Sequence, residues 1–116
     1  MIDAESFVIV EWTAEASRVG QRVAGLHVHH EDDEAWYVLE GRLGFQIGAE
    51  ERIAEAGEMV LARRGVPHTW WNAHAAPTRY LIIMTPRIHD LIEVLHDGSR
   101  SDFAAVFQEH ASELLA

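Results

Sequence analysis

The tightest constraint on this chain is its punctuation. Between Phe7 and Met84 each run of β-prone residues is short, and most are closed by glycine, proline or a charged pair. Phe7 to Trp12 is β-branched and aromatic, and Arg18 to His29 alternates. Trp36 to Glu40 stops at Gly41, and Arg42 to Ile47 stops at Gly48, where Gly48 to Glu51 reads as a hairpin connection. Arg52 to Ala56, Met59 to Ala62, His68 to Asn72 and Arg79 to Met84 continue the pattern. Such residues suit a pleated, half-buried surface. Strands this short and evenly spaced predict an all-β sandwich or barrel.

After Pro86 the period changes. Ile88, Leu91, Ile92 and Leu95 recur at helical spacing, with Gly98 as the stop. Ser99 and Asp102 resemble a capping box, and Phe103, Val106, Phe107, Leu114 and Leu115 predict a second amphipathic helix. The expectation is eight or nine strands followed by two helices. At 116 residues the chain fits one domain, with a barrel over about 5–86 and a helical extension over about 87–116. Some 30 residues cannot form a core alone, so the helices are expected to pack on the barrel or on a partner subunit.

Composition narrows the chemistry. Nineteen acidic and nine basic residues give a net charge of −10, which disfavours nucleic acid and anionic membrane surfaces. All nine basic residues are Arg, so a Schiff-base lysine is excluded. No basic-faced helix-turn-helix is present, which argues against a stand-alone transcription factor. The lack of cysteine removes disulfides, thiolate nucleophiles, iron–sulfur clusters and cysteine zinc sites. The acidic N-terminus shows no apolar leader, and the Tyr80 to Met84 run is far short of the roughly 18 residues that span a bilayer. A soluble cytoplasmic protein is expected.

Against this background the eight histidines stand out, since average composition would supply about two or three. On a strand His27 and His29 point the same way, with Cα atoms about 6.6–6.8 Å apart. Two imidazoles at that spacing can converge on one metal ion. Glu34 follows across a short polar loop, where a hairpin would bring its carboxylate beside them. Gly65 and Pro67 set a turn before the strand that carries His68. If that strand neighbours the first, three imidazoles and one carboxylate meet, a set suited to Fe, Mn, Co, Ni, Cu or Zn.

These residues stand in two motifs. The first runs His27-x-His29, four residues, Glu34, six residues, Gly41; the second runs Gly57, five residues, Arg63-x-Gly65, two residues, His68, three residues, Asn72. In this the chain resembles the small single-domain cupins over roughly residues 18–85. Two positions depart from the family pattern: the first-motif glycine is displaced by one, to Gly20, and Arg63 stands where the second motif has proline. Neither is a ligand position. The resemblance implies a double-stranded β-helix, or jelly-roll barrel, holding one divalent transition metal on His27, His29, Glu34 and His68. It also implies a homodimer and an enzyme for a small organic substrate, dioxygenase-type before a non-redox isomerase, cyclase or lyase. Glu34 would then double as the catalytic base. A non-catalytic small-molecule-binding barrel is the reading from another class, and a metal-free polar cluster the plainest one.

Other residues take lesser expectations. His30 has the opposite parity to His29 and should lie outside the site, unless the register slips by one. His74, His89, His96 and His110 should be surface or helix-end groups. Glu31, Asp32 and Asp33 read as a solvated loop with a field that steers cations. Trp70 and Asn72 should point inward and Thr69 and Trp71 outward, Trp71 adding to a partner surface. Trp36 or Trp70 could be pocket wall or core. The faces of Gln46 and Tyr80 do not follow from the sequence.

Overall fold

The computed structural model describes residues 1–16 and 20–115. In chain order the strands are β1 (Ile2–Asp3), β2 (Val8–Ala14), β3 (Arg22–His29), β4 (Glu34–Glu40), β5 (Arg42–Ile47), β6 (Glu50–Glu55), β7 (Met59–Ala62), β8 (His68–Asn72) and β9 (Thr78–Met84). Helices α1 (Pro86–His96) and α2 (Phe103–Glu109) follow, and then β10 (Ser112–Leu114). Two antiparallel five-stranded sheets result, ordered β1-β2-β9-β4-β7 and β10-β3-β8-β5-β6. This is the double-stranded β-helix expected from the sequence. The start of the Arg18 to His29 run falls outside the described residues.

The alternation in each strand explains the packing. Trp36 and Val38 of β4, Leu43 and Phe45 of β5, and Tyr80, Ile82 and Met84 of β9 share one buried core. Rings interlock across the sheets, with Trp36 edge-on to Phe45 at 5.1 Å and Trp70 edge-on to Tyr80 at 5.0 Å. Each such side chain taken out of water contributes roughly 1.5–3 kcal/mol. Tyr80 is therefore a core residue. Gln46 takes the opposite parity to Leu43 and Phe45, half-buried on the outer face.

Asn72 points inward as expected and ties three segments together. Its amide reaches the carbonyls of Ala14, Glu15 and Ala76, and its Oδ1 accepts from His74 N and Thr78 Oγ1. Trp71 points outward and lies against the backbone of Gly44, where a Cβ would collide with the indole. The Arg22 guanidinium covers the ring from 4.1 Å. Thr69 faces outward too but is buried, its hydroxyl donating to Ala24 O at 2.6 Å.

The C-terminal segment departs from expectation. Helix α1 forms as predicted, with the Thr85 side chain accepting from Ile88 N, Pro86 in the first turn, and Gly98 just beyond its end. The second helix is shorter. It ends at Glu109, Ala111 takes a left-handed φ of 52°, and the chain reverses into β10 beside β3. Leu114 is thus a strand residue; pairing with the free edge of β3 outweighs the helical spacing. The capping box does not form either. Ser99 bonds to Asp97, and the Asp102 carboxylate is held by Arg100, whose charge-assisted bonds at 2.6 and 3.0 Å compete better than a backbone N–H.

Gly41 turns β4 into β5 at φ +91°, and a Cβ there would run into Thr78 Oγ1 and approach its Cα to 3.1 Å. Gly65 has φ +80° with open space around it. Gly65→Ala should therefore cost only the backbone term, roughly 1–2 kcal/mol. Gly41→Ala should cost that plus a further contribution of about 1–3 kcal/mol from overpacking. Urea unfolding of the two variants beside the parent measures the difference.

Candidate metal centre

His27 and His29 end β3, and His68 begins β8. The two strands are neighbours, with His27 directly opposite His68. Glu34 opens β4, which belongs to the other sheet. The connection between His29 and Glu34 is therefore not a hairpin. It crosses the sandwich, so the carboxylate approaches the imidazoles from the facing sheet. All four side chains are buried, at 1–5% exposure. Four ligand atoms, one from each, lie within 4.8 Å of one another. His30 is half exposed and pairs with Glu113, outside the cluster.

The outer nitrogens of the three rings are all engaged. His27 Nδ1 is 2.6 Å from Gly25 O, and His68 Nδ1 is 3.1 Å from Val66 O. A carbonyl only accepts, so in both rings Nδ1 carries the proton. His29 Nδ1 is 2.7 Å from Ser112 Oγ, whose own hydrogen is directed to His110 O at 3.0 Å. The hydroxyl therefore accepts from His29. Each neutral ring is left with an Nε2 lone pair, and those of His29 and His68 face Glu34 Oε1 at 3.3 and 3.1 Å. Lone pairs facing a carboxylate oxygen out of contact with water require a cation between them, either protons on the rings or a metal. The donor set fits a divalent transition metal.

Electrostatics agree with that geometry. Burial pushes the His27 pKa down, and the charge of His68 adds to it, to about 4. Its lone pair is therefore free at neutral pH. Burial pushes the Glu34 carboxyl up, but in the absence of metal, with the cation supplied as protons on the two rings, hydrogen bonds from His29 and His68 outweigh it and bring the pKa to about 2. Glu34 is an anion throughout the neutral range.

Above the cluster lies a cavity of about 390 Å³ between the sheets and the helices. His27, His29 and Glu34 form its polar floor, and Trp12, Trp70 and Ile82 stand on its walls. Helices α1 and α2 roof it with Ile88, Leu91, Ile92, Leu95, Phe103 and Phe107. Phe107 also packs edge-on against the His27 ring at 5.7 Å. Of the two tryptophans, Trp70 is wall and Trp36 is core.

The acidic loop is less solvated than its composition suggests. Asp32 is buried, with Arg87 Nε 3.2 Å from its Oδ2 in an ion pair without hydrogen-bond alignment, while Arg87 also reaches Glu31. Asp33 accepts from Arg64 N and pairs with its guanidinium. The loop before Glu34 is thereby clamped to α1 on one side and to the turn before His68 on the other. Of the remaining histidines, His96 and His110 cap helix ends through Nδ1 bonds to Ile92 O and Val106 O, and His89 pairs with Glu93. His96 also lines the rim of the cavity. Ser112, Phe107 and Arg87 have no local sequence signal; they reach the site from a distant part of the chain.

Removing the Ser112 acceptor frees the His29 tautomer. Ser112→Ala should stay folded and bind metal about 10–100-fold more weakly, as titration against a chromophoric chelator would show. Metal-free protein should also lose stability on acidification. Between pH 6.5 and about 4 the unfolded chain takes a proton on His27 that the folded chain refuses. Stability is therefore full above this window and falls across it, by about 3 kcal/mol from this residue. Urea melts at pH 7 and pH 4.5, with and without metal, measure the loss, and bound metal should oppose it.

Comparison with known proteins agrees with the geometry. A family model described as "Cupin domain" matches residues 17–84, more than half of the chain. Among solved structures, the TT1209 protein of Thermus thermophilus is 28% identical, with a TM-score of 0.63 over 73% of this chain and 77% of that one. A sugar phosphate isomerase from a cupin superfamily, from Silicibacter pomeroyi, is 26% identical, with a TM-score of 0.59 over 69% of this chain and 50% of that one. KdgF from Halomonas sp. shares the fold at 18% identity, with a TM-score of 0.66 over 78% of this chain and 77% of that one. Comparison with curated protein sequences found no significant match. No helix among the described residues is long and apolar enough to cross a membrane.

Proposed function

The chain belongs to the cupin family, and on that basis we propose that it is a metal-dependent enzyme for a small organic molecule, most simply a dioxygenase-type oxidoreductase. His27, His29, Glu34 and His68 would be the metal ligands. The observation that carries this reading is the set of three outward Nδ1 bonds, which leave an unprotonated Nε2 on each neutral ring. Fe, Mn, Co, Ni, Cu and Zn are all compatible with the donors. When bound, such an ion supplies Lewis acidity toward a substrate oxygen and, for iron or copper, redox chemistry.

The chain's own residues do the rest. The carbonyls of Gly25 and Val66 and the hydroxyl of Ser112 hold the rings in one tautomer and one orientation. Glu34 would be a metal ligand and, as the one carboxylate at the floor among the described residues, also the group placed to accept the proton of a substrate hydroxyl that came within its reach. The apolar roof faces this floor with side chains that offer water no hydrogen bond.

Two features favour oxidation over proton shuffling. Dioxygen is itself apolar and suits an apolar cavity. Glu34 is the lone carboxylate among the described lining residues, and the fourth titratable lining group, His96, sits at the rim. An isomerase or lyase that removes and returns protons on two faces would need a second group at the floor. A sugar phosphate, the substrate class in the name of the Silicibacter relative, would also need a cation for its phosphate.

Elemental analysis of untagged protein beside Glu34→Ala tests the centre. About one equivalent of metal is expected in the parent and a large loss in the variant. Full retention of metal in a His27→Ala, His68→Ala double variant would sink the ligand assignment. Oxygen uptake with a panel of phenols and enols tests the reaction, and consumption should match turnover. Turnover unchanged without oxygen would reassign the chain to non-redox chemistry. A ligand that raises the melting temperature but is never altered would make it a binding module.

A further inference from the structure

We propose that the site is built for a small, uncharged and largely hydrocarbon molecule, an aromatic or alicyclic body with one oxygen-bearing end directed at the histidine–carboxylate floor. The oxygen-bearing end rests on the metal reading above; the hydrocarbon body rests on the cavity alone. The roof is the decisive feature. Ile88, Leu91, Ile92 and Leu95 put the apolar face of α1 over the opening, and α2 adds Phe103 and Phe107. Trp12, Trp70 and Ile82 continue that surface down to the floor.

Charge points the same way. None of the described lining residues is Arg, and the chain contains no Lys. Arg64, Arg79, Arg87 and Arg100 are each paired with carboxylates, and Arg22 lies over Trp71. A net charge of −10 repels anions before they reach the mouth. Away from the floor, a phosphate or a carboxylate on the body of the molecule would meet no counter-ion among the described lining residues.

Hydrogen-bonding capacity is equally sparse. Gly25 O is taken by His27, and His96 Nδ1 by Ile92 O. A polyhydroxylated sugar would leave several hydroxyls unpaired, each lowering affinity by a factor of about ten. The volume of about 390 Å³ lies near the lower end of small-molecule sites, about 300–1,000 Å³. Two fused rings fit that scale.

The test uses three probes on the purified full chain, in calorimetric titrations run on metal-loaded and on chelator-treated protein. The probes are 1-naphthol, 1-naphthyl phosphate and glucose 6-phosphate. The expected result is that 1-naphthol binds both forms and binds at least tenfold tighter than 1-naphthyl phosphate, with no detectable heat from glucose 6-phosphate. Leu95→Arg, which places a cation in the roof, should weaken 1-naphthol at least tenfold and narrow its lead over the phosphate. Leu95→Met, which keeps the surface apolar, should bind 1-naphthol within threefold of the parent and keeps the test decisive if the arginine variant does not fold. Tighter binding of either phosphate than of 1-naphthol, or no binding of 1-naphthol, overturns the proposal. The two readings fail separately. Protein that never holds metal but keeps the naphthol preference loses the metal reading alone. Protein that holds metal but ignores naphthol loses this one alone.

Discussion

Glu34 is a carboxylate almost wholly buried between the two sheets, and the structure around it is organised by that fact. A buried charge is tolerated only where its neighbours replace the lost hydration. Here the replacement is a cation shared with Nε2 of His29 and His68 on the opposite sheet, 3.3 and 3.1 Å away, either as protons on the rings or as a metal. The contact therefore joins the two halves of the sandwich at the point where the chain crosses between them. It also sets a demand on the imidazoles. Each must present its inner nitrogen, and so each must hand its outer one to something else. The Gly25 and Val66 carbonyls and the Ser112 hydroxyl meet that demand.

One of these three supports comes from β10, at the far end of the chain. That strand pairs with β3 so that Ser112 stands opposite His29. The two helices before it form the roof of the cavity, and Phe107 rests on the His27 ring. The segment after Pro86 is thus more than an appendage to the barrel. It closes the opening, packs its own apolar cluster of Leu91, Val106 and Phe107, and completes the surroundings of two imidazoles.

What is legible in the sequence follows from range. Strand parity is a local property, so it assigns His27 and His29 to one face and His30 to the other. Spacing between turn residues is local too, and it locates Glu34 at the start of β4 and His68 at the start of β8. The jelly-roll itself comes from the resemblance those spacings carry. Long-range choices are out of reach. Ser112 lies 83 positions from the ring it supports. The last strand reads as helix because Leu114 and Leu115 keep helical spacing with Phe103 and Phe107, and nothing local reveals that β3 has an edge to fill. Asp32 reads as solvated because its partner, Arg87, stands on the helix it clamps. The crossing of the sandwich between His29 and Glu34 reads as a hairpin for the same reason: a short polar loop does not disclose which sheet it enters.

The place of β10 has a consequence for how the protein is made. Ribosomal synthesis delivers residues 22–29 long before residues 112–114, so one edge of β3 has no partner strand while most of the chain is being built. An open strand edge is a template for pairing with another chain. The segment at risk is the one that bears His27 and His29. A nascent chain halted after the barrel would present both imidazoles beside an open edge and without their roof. Completion of the site and protection of the sheet are therefore the same late event, and a chain stalled between residues 87 and 111 would leave the β3 edge open beside a half-built centre.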